Sequence, residues 1–451
     1  MNTHIFGLAL LMLALHTMPL HAQQGGATRQ GSASGQGYTL QRCIDIGLTN
    51  NNDLRRARNM AEATGSYRSS AYGEFLPSVN ASANWSRSDE DQIRLRSDQL
   101  IQSRNSYSYG IDAGLTLFNG MRNFSTVDKS IIDFEAAEQS AKRTRELIVY
   151  SIEEAFYNAL RLRELVAVQE ANVERSRKQL TRIREMNAVG SVPLADVYRQ
   201  EVQVGTDELA LVQARNNYQN MLADVQALIG VEPSADFDLI DDNAGATVTT
   251  TDAAAYRGAL GDYAALLREA VERRADVRQS ELAVRSADKS ITIARSGHYP
   301  SLTAFAQYGW SNLELRDFET YDRFSYGLSL SVPIFSGFQV STAVQRSQIQ
   351  LRDAQDADAQ LRRSIATEVR KALNNLESYA LNLDIAAKKL LSAKEDQRIA
   401  EERYNLGSGT LLDMLTAGAN LRLAESDVVN ARFSYITAQR LMDYTLGRTS
   451  N

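Results

Sequence analysis

The chain has 451 residues, 49 Lys plus Arg against 55 Asp plus Glu, a net charge of -6, one Cys and four His. With no basic excess to neutralise phosphates, a nucleic-acid binder is disfavoured; one Cys leaves no disulfide framework or thiolate zinc site. Three of the His (His4, His16, His21) fall near the N-terminus, leaving His298, and only six Pro occur, against a usual ~5%.

Residues 5–15, IFGLALLMLAL, form an apolar run of 11 residues, too short for the ~20 of a spanning helix. Pro19 and Leu20-His21-Ala22 follow, so residues 1–22 read as a secretory signal peptide cleaved after Ala22, although MNTH supplies no Lys or Arg. Residues 23–37, rich in Gln, Gly and Ser, read as a flexible leader. Cys43 reads as a small buried hydrophobe.

Beyond the leader the chain is one unit written twice, and repeats of this size decide the fold. Ser108-Tyr109-Gly110 … Phe118-Asn119-Gly120 matches Ser325-Tyr326-Gly327 … Phe335-Ser336-Gly337 at an offset of 217, which also relates Gly190 to Gly407, Asp196 to Asp413 and Gly230 to Gly447. Upstream, Asp53 matches Asp276 and Leu76-Pro77-Ser78 matches Tyr299-Pro300-Ser301 at offset 223. The first repeat covers 38–230 and the second 258–447, with a polar connector at 231–257 and a tail at 448–451.

Each repeat predicts a helix, a hairpin of two strands, a very long helix, a tight turn and a returning helix. In 107–117, Tyr107, Tyr109, Ile111, Ala113, Leu115 and Leu117 alternate with Ser108, Gly110, Asp112, Gly114 and Thr116; 324–334 repeats the pattern. Period two of this kind is a strand with one apolar and one polar face. The hairpins are expected at about 78–118 and 301–335, with charged loops at 89–105 and 312–322, and with Tyr107, Tyr109, Phe118, Phe324, Tyr326 and Phe335 near strand ends. The long helices are expected at 121–187 and 338–404, 67 residues each, and the returning helices at 194–229 and 411–446. The second long helix carries a stripe through Leu361, Ile365, Val369, Leu373, Leu376, Ala380, Leu383, Ala387 and Leu390, spaced as in a coiled coil. Gly190 and Gly407 suit helix C-caps and Pro193 a helix's first turn.

Four strands are too few to close a barrel, and an open sheet edge is untenable in lipid. Several chains are therefore expected to share one barrel, three copies giving twelve strands with apolar residues toward lipid and small polar ones toward water. The alternative is a soluble periplasmic coiled-coil scaffold. Nothing points to an enzyme or to a cofactor: there is no nucleophile motif, and Asp236, Asp238, Asp241 and Asp242 lack calcium-loop spacing.

The whole mature chain resembles the TolC-like outer-membrane efflux proteins. The resemblance rests on the duplicated unit, the Leu-Pro-Ser and Tyr-Pro-Ser strand starts, the Phe-x-Gly strand exits, and Tyr404-Asn405-Leu406-Gly407 … Asp413. It implies a homotrimer: a 12-stranded outer-membrane barrel continued by a periplasmic α-helical barrel. It also implies an exit duct for an inner-membrane transporter of RND or ABC type, joined through a periplasmic adaptor, serving efflux or type I secretion. By the same resemblance the helical tips form the periplasmic gate, with Asp413, Asp196 and Tyr404 as gate candidates. The tip turns (Gly190, Gly407, Ser408, Gly409) are then where the adaptor docks. The chain departs from the family pattern at Gly409, where an Arg helps lock the tip, and at Thr416, where a second acidic residue is expected. Read as residues alone, Thr410-x-x-Asp413 also fits a capping box and Tyr404 fits ordinary helix packing. Cargo is not encoded.

Overall fold

The computed structural model describes residues 37–96, 99–234, 237–241, 250–315, 318 and 321–448. The signal segment 1–22 and all but Gly37 of the leader lie outside the described residues, as do parts of the connector and tail.

The chain runs α1 (Leu40–Asn50), α2 (Asn52–Gly73), β1 (Ser78–Arg96), β2 (Gln99–Phe118), α3 (Arg122–Ala188) and α4 (Leu194–Ile229). After the connector come α5 (Thr250–Ala259), α6 (Tyr263–Arg273), α7 (Ala275–Arg295), β3 (Ser301–Asn312), β4 (Asp322–Ser331), α8 (Gln339–Asn405) and α9 (Leu411–Thr445). The second half therefore repeats the first, and α3 and α8 have 67 residues each, roughly 100 Å at ~1.5 Å per residue. Both start after a glycine (Gly120, Gly337) on a residue with positive φ, Met121 at 69° and Phe338 at 65°.

The helices stand side by side in columns. Helices α2 and α4 pack on α3, α3 packs on α7 and α9, and these pack on α8. One core cluster joins Cys43, Leu54, Ile152, Phe156, Leu160, Ile229 and Leu239; a second joins Leu266, Ile365, Val369, Leu376, Tyr435 and Met442. Each such side chain contributes about 1.5–3 kcal/mol by leaving water. The buried stripe of α8 turns through Leu383, Ala386 and Ala393, not the expected Ala387, which is exposed; the helix does not hold a strict heptad.

Where α4 ends, α2 begins, and the same joint recurs between α9 and α7 with different chemistry. Asn51 caps α2 through Oδ1, which accepts from Asp53 N and Leu54 N, while its Nδ2 donates to Leu228 O at 3.2 Å. At the equivalent place Arg274, 3% exposed in its side chain, donates to Thr445 O, to Glu368 at 2.7 Å and to both oxygens of Asp276.

The strands form one antiparallel sheet in the order β1-β2-β3-β4, with β1 and β4 at the edges. Here the strands depart from the expected bounds in two places. Residues 89–105 are not a loop: apart from 97–98, β1 and β2 continue through them as a ribbon, pairing Gln92 with Ser103 and Arg96 with Gln99 beyond a bulge after Arg87. Most of its described side chains, among them Asp91, Gln92, Ile93 and Leu100, are exposed, so burial imposes no alternation on its sequence. Strand β4 stops at Ser331, short of 334, because Pro333 has no N–H for a ladder. The connector is helical from Thr250.

Candidate functional site

Two regions hold the candidate residues: the sheet and the tips of the helical hairpins. On the sheet, cross-strand partners share a face, so the register fixes two surfaces. Ala83, Tyr109 and Trp310 stand in one row, Ala81, Ile111, Tyr308 and Phe324 in the next. Most of this apolar face is uncovered: Trp85 is 63% exposed, Tyr326 77% and Leu330 66%, whereas Trp310 is buried beside Phe318. The opposite face carries Asn80, Asp112, Gln307 and Ser325 in one row and Ser78, Gly114, Phe305 and Gly327 in another.

Aromatic residues bracket the apolar face. Outward, Tyr109 stacks on Trp310 (centroids 5.4 Å), and Phe318 lies tilted against Trp310 (4.6 Å). Toward the helices, Phe75 meets Phe124 at 5.0 Å and Phe335 meets Phe338 at 5.6 Å. Tyr107 and Tyr109 are thus not at the end of β2, as expected, but midway along it; they mark the level where β3 ends, since Tyr107 pairs with Asn312. From Tyr109 to Phe118 is nine steps, about 30 Å at ~3.3 Å per residue, which a tilted strand converts to the ~25 Å apolar band of an outer-membrane barrel. The β1–β2 ribbon extends past that level. Among the described residues no helix is long and apolar enough to cross a membrane.

At the other extremity the two turns have one geometry. Gly190 (φ 76°) and Gly407 (φ 72°) sit in the left-handed region, and the next residue closes each helix, Ser191 N donating to Met186 O and Ser408 N to Arg403 O. Ser408 and Gly409 are part of the second turn; a Cβ on Gly409 would lie 3.1 Å from Arg403 Cβ and 3.2 Å from Tyr404 N. Beneath the turns Ile183, Val197, Tyr404, Leu411 and Met414 form a small apolar cluster drawn from both hairpins.

The structure brings two of the three gate candidates together. The Tyr404 hydroxyl donates to Asp196 Oδ2 at 3.2 Å, with Tyr404 4% and Asp196 7% exposed. Burial, and then the carboxylate, push the Tyr404 hydroxyl up to about 12. Arg199 donates to the other Asp196 oxygen at 3.2 Å, a partner that the sequence reading missed although its i+3 spacing announces it. Asp413 stands apart. It is exposed and closes a capping box: Thr410 N and Oγ1 donate to its Oδ2 at 3.1 and 2.7 Å, and its own N donates to Thr410 Oγ1 at 3.2 Å. The Thr410 hydroxyl and then its backbone N–H hold the Asp413 carboxyl below the usual carboxylate range.

The sequence matches the family profile described as outer membrane efflux protein over residues 44–231 and 266–448. It is 24% identical to outer membrane protein TolC of Vibrio cholerae serotype O1, over 84% of each chain, and 23% identical to that of Escherichia coli K12, over 92% of this chain and 83% of that one. Its fold is that of the Vibrio cholerae outer membrane protein VceC (TM-score 0.76, 18% identity, 90% and 96% covered). It also matches the open state of the Neisseria gonorrhoeae MtrE outer membrane channel (TM-score 0.73, 20% identity, 90% and 88% covered). The profile spans both repeats, one on each side of the connector. This chain belongs to the outer membrane efflux protein family: a non-enzymatic exit duct of tripartite efflux or secretion systems, seated in the Gram-negative outer membrane and reaching into the periplasm.

Proposed function

We propose that three copies of the chain close into one ring, their sheets forming a 12-stranded barrel and their helices a continuous periplasmic conduit. The observation that carries this reading is the pair of bare edges β1 and β4 on a sheet whose apolar face is mostly uncovered. In lipid each edge N–H and C=O needs a partner, and β4 of one copy against β1 of the next supplies it. The helical columns end the same way. One outer column exposes Tyr198, Val202, Leu209 and Val212 on α4, the other exposes Leu381, Ile385 and Leu391 on α8, so head-to-tail contact covers both. Two copies would give eight strands, the size of a barrel filled by its own side chains; three leave a water-filled interior.

In this assembly the tips form the periplasmic gate, closed in part by the Tyr404–Asp196 bond. The turns around Gly190, Gly407, Ser408 and Gly409 receive a periplasmic adaptor, with exposed Val189 (78%) and Leu406 (82%) as apolar contacts; the adaptor links the duct to an inner-membrane transporter. The capping box at Asp413 favours a local, helix-starting role for that residue over a latch. Extraction of outer membranes in mild detergent and light scattering of the purified protein test the assembly. A protein mass of three chains is expected; a monomer that leaves the outer membrane without detergent overturns it.

A further inference from the structure

The polar face of the sheet holds a feature that the duct's general architecture does not require. Within the apolar band (78–85, 109–118, 302–310 and 324–331), Asp112 is the one Asp, Glu, Lys or Arg among the described residues. It is exposed, and Asn80 Nδ2 donates to its Oδ2 at 3.1 Å. A carboxylate at this depth is costly against hydrocarbon and marks a water-lined path. One register row nearer the helices stands Phe305, the one aromatic side chain of that face in the band, between Gly114 on β2 and Gly327 on β4. Its ring lies over Gly327, where an added Cβ would come within 3.0 Å of Phe305 Cζ. Gly327 lets the ring lie across β4, with Phe305 42% exposed.

We infer that Asp112 and Phe305 form a second permeability filter inside the barrel, distinct from the tips, which favours cationic over anionic solutes. The inference rests on the three-copy duct of the preceding section, which turns Asp112 into a ring of three carboxylates facing the lumen. Arg323 is the nearest cationic side chain on the same face of the sheet among the described residues; it pairs with Gly309 at the outer end of β4. Phe305 pairs with Gly114, two residues from Asp112, and with Gly327, four residues from Arg323. At ~3.3 Å per residue, Asp112 lies about 7 Å from the Phe305 position and Arg323 about 13 Å or more. The second distance exceeds the ~8–10 Å screening length of physiological salt. The field at Phe305 is therefore set by Asp112, and its ring face offers a further weak attraction to organic cations.

The test uses F305C in the full-length protein in outer-membrane vesicles; the native Cys43 is 0% exposed and silent. Water-soluble methanethiosulfonates bearing trimethylammonium or sulfonate are compared, each rate normalised to that reagent's reaction with free cysteine. A luminal potential of about one kT enriches the cation and depletes the anion about 2.7-fold each, so the normalised cation-to-anion ratio is expected to be about sevenfold. F305C/D112N brings the ratio near unity, as does 1 M salt, while F305C/R323Q keeps it. Should F305C fail to assemble, S325C, in the row of Asp112, gives the same readout. Modification at a ratio that D112N does not change overturns the inference and leaves the duct intact. No modification of folded F305C or S325C, with normal reaction after unfolding, overturns the duct reading itself.

Discussion

Tyr404→Phe removes one hydroxyl from the tip and nothing else. The bond that it loses joins α8 to α4, between two side chains less than a tenth exposed. A hydrogen bond to a charged group is worth about 1.5–3 kcal/mol. At 3.2 Å this one is long against the ~2.5–2.7 Å of a strong hydroxyl–carboxylate bond, and Arg199 still partners Asp196, so the low end applies. If three copies open together, the closed ring loses about 4.5 kcal/mol, and the open-to-closed ratio rises roughly a thousandfold. Conductance of the purified protein in planar bilayers reads this directly: Y404F opens where the parent chain stays mostly shut. The bond also has a defined pH window. With the hydroxyl raised from ~10 to about 12, its contribution is complete below pH ~10 and is lost as pH rises through about 12. The parent chain is therefore expected to open at strongly alkaline pH by a step absent from Y404F. A variant that melts at lower temperature yet conducts as little as the parent would refute the latch, because the bond would then hold the two helices in both states.

Three further outcomes follow from the geometry. Gly409→Arg, which supplies the residue that the family pattern places there, is expected to loosen the second turn and lower the melting temperature without reducing conductance. Its Cβ meets Arg403 and the Tyr404 backbone at 3.1–3.2 Å, and a variant that closes more tightly would show that the turn yields. Arg274→Met breaks a buried ionic joint at a cost of about 3–5 kcal/mol, read by thermal melting in detergent. Burial alone would raise the Asp276 carboxyl, but the hydrogen bonds and charge of Arg274 outweigh it and hold it low. The stability that this adds is present above the ordinary carboxylate value of ~3.9 and lost as pH falls through the depressed one. R274M should therefore begin to unfold at a higher pH than the parent, and an unchanged acid limb would mean that Arg143, 3.6 Å from Asp276 Oδ2, holds the carboxyl low instead.

How much of this was written in the sequence depends on whether a segment faces something. The long helices were legible because Gly120 and Gly190, like Gly337 and Gly407, punctuate them, and because one face of each is buried. The strand faces of 107–117 and 324–330 were legible for the same reason, one side meeting apolar surroundings and the other water. The β1–β2 ribbon beyond Arg87 was not, since its described side chains are largely exposed and its charges read as loop. The girdle misplacement shares that cause: without the ribbon, Tyr107 and Tyr109 seem to begin a strand. At the tips the residue types could be named in advance. That Asp196 reaches Tyr404 while Asp413 turns back on Thr410 could not, because the choice is made by contacts across 208 residues.

Yet the choice has a local cause in the duplication. At offset 217, Asp196 corresponds to Asp413, Asn187 to Tyr404 and Pro193 to Thr410. Thr410 offers a backbone N–H and a hydroxyl, and both engage Asp413. Pro193 has neither and makes no side-chain cap, so Asp196 has no box to enter and its carboxylate is free for Tyr404. Asn187 in turn serves its own turn, donating to Val192 O at 2.8 Å. One proline thus separates a capping aspartate from one that accepts from Tyr404. Pro193→Thr is expected to draw Asp196 into a capping box like that of Asp413, trading the bond to Tyr404 for two to the new threonine. Helix α4 would start more stably, by about 1 kcal/mol, while the tip loses its link. The variant should then melt no lower than the parent but conduct as Y404F does, and adding Y404F to it should change conductance no further. Additive effects of the two substitutions would mean that Asp196 keeps Tyr404 despite the new donors, and that the tertiary contact, not the proline, holds it there.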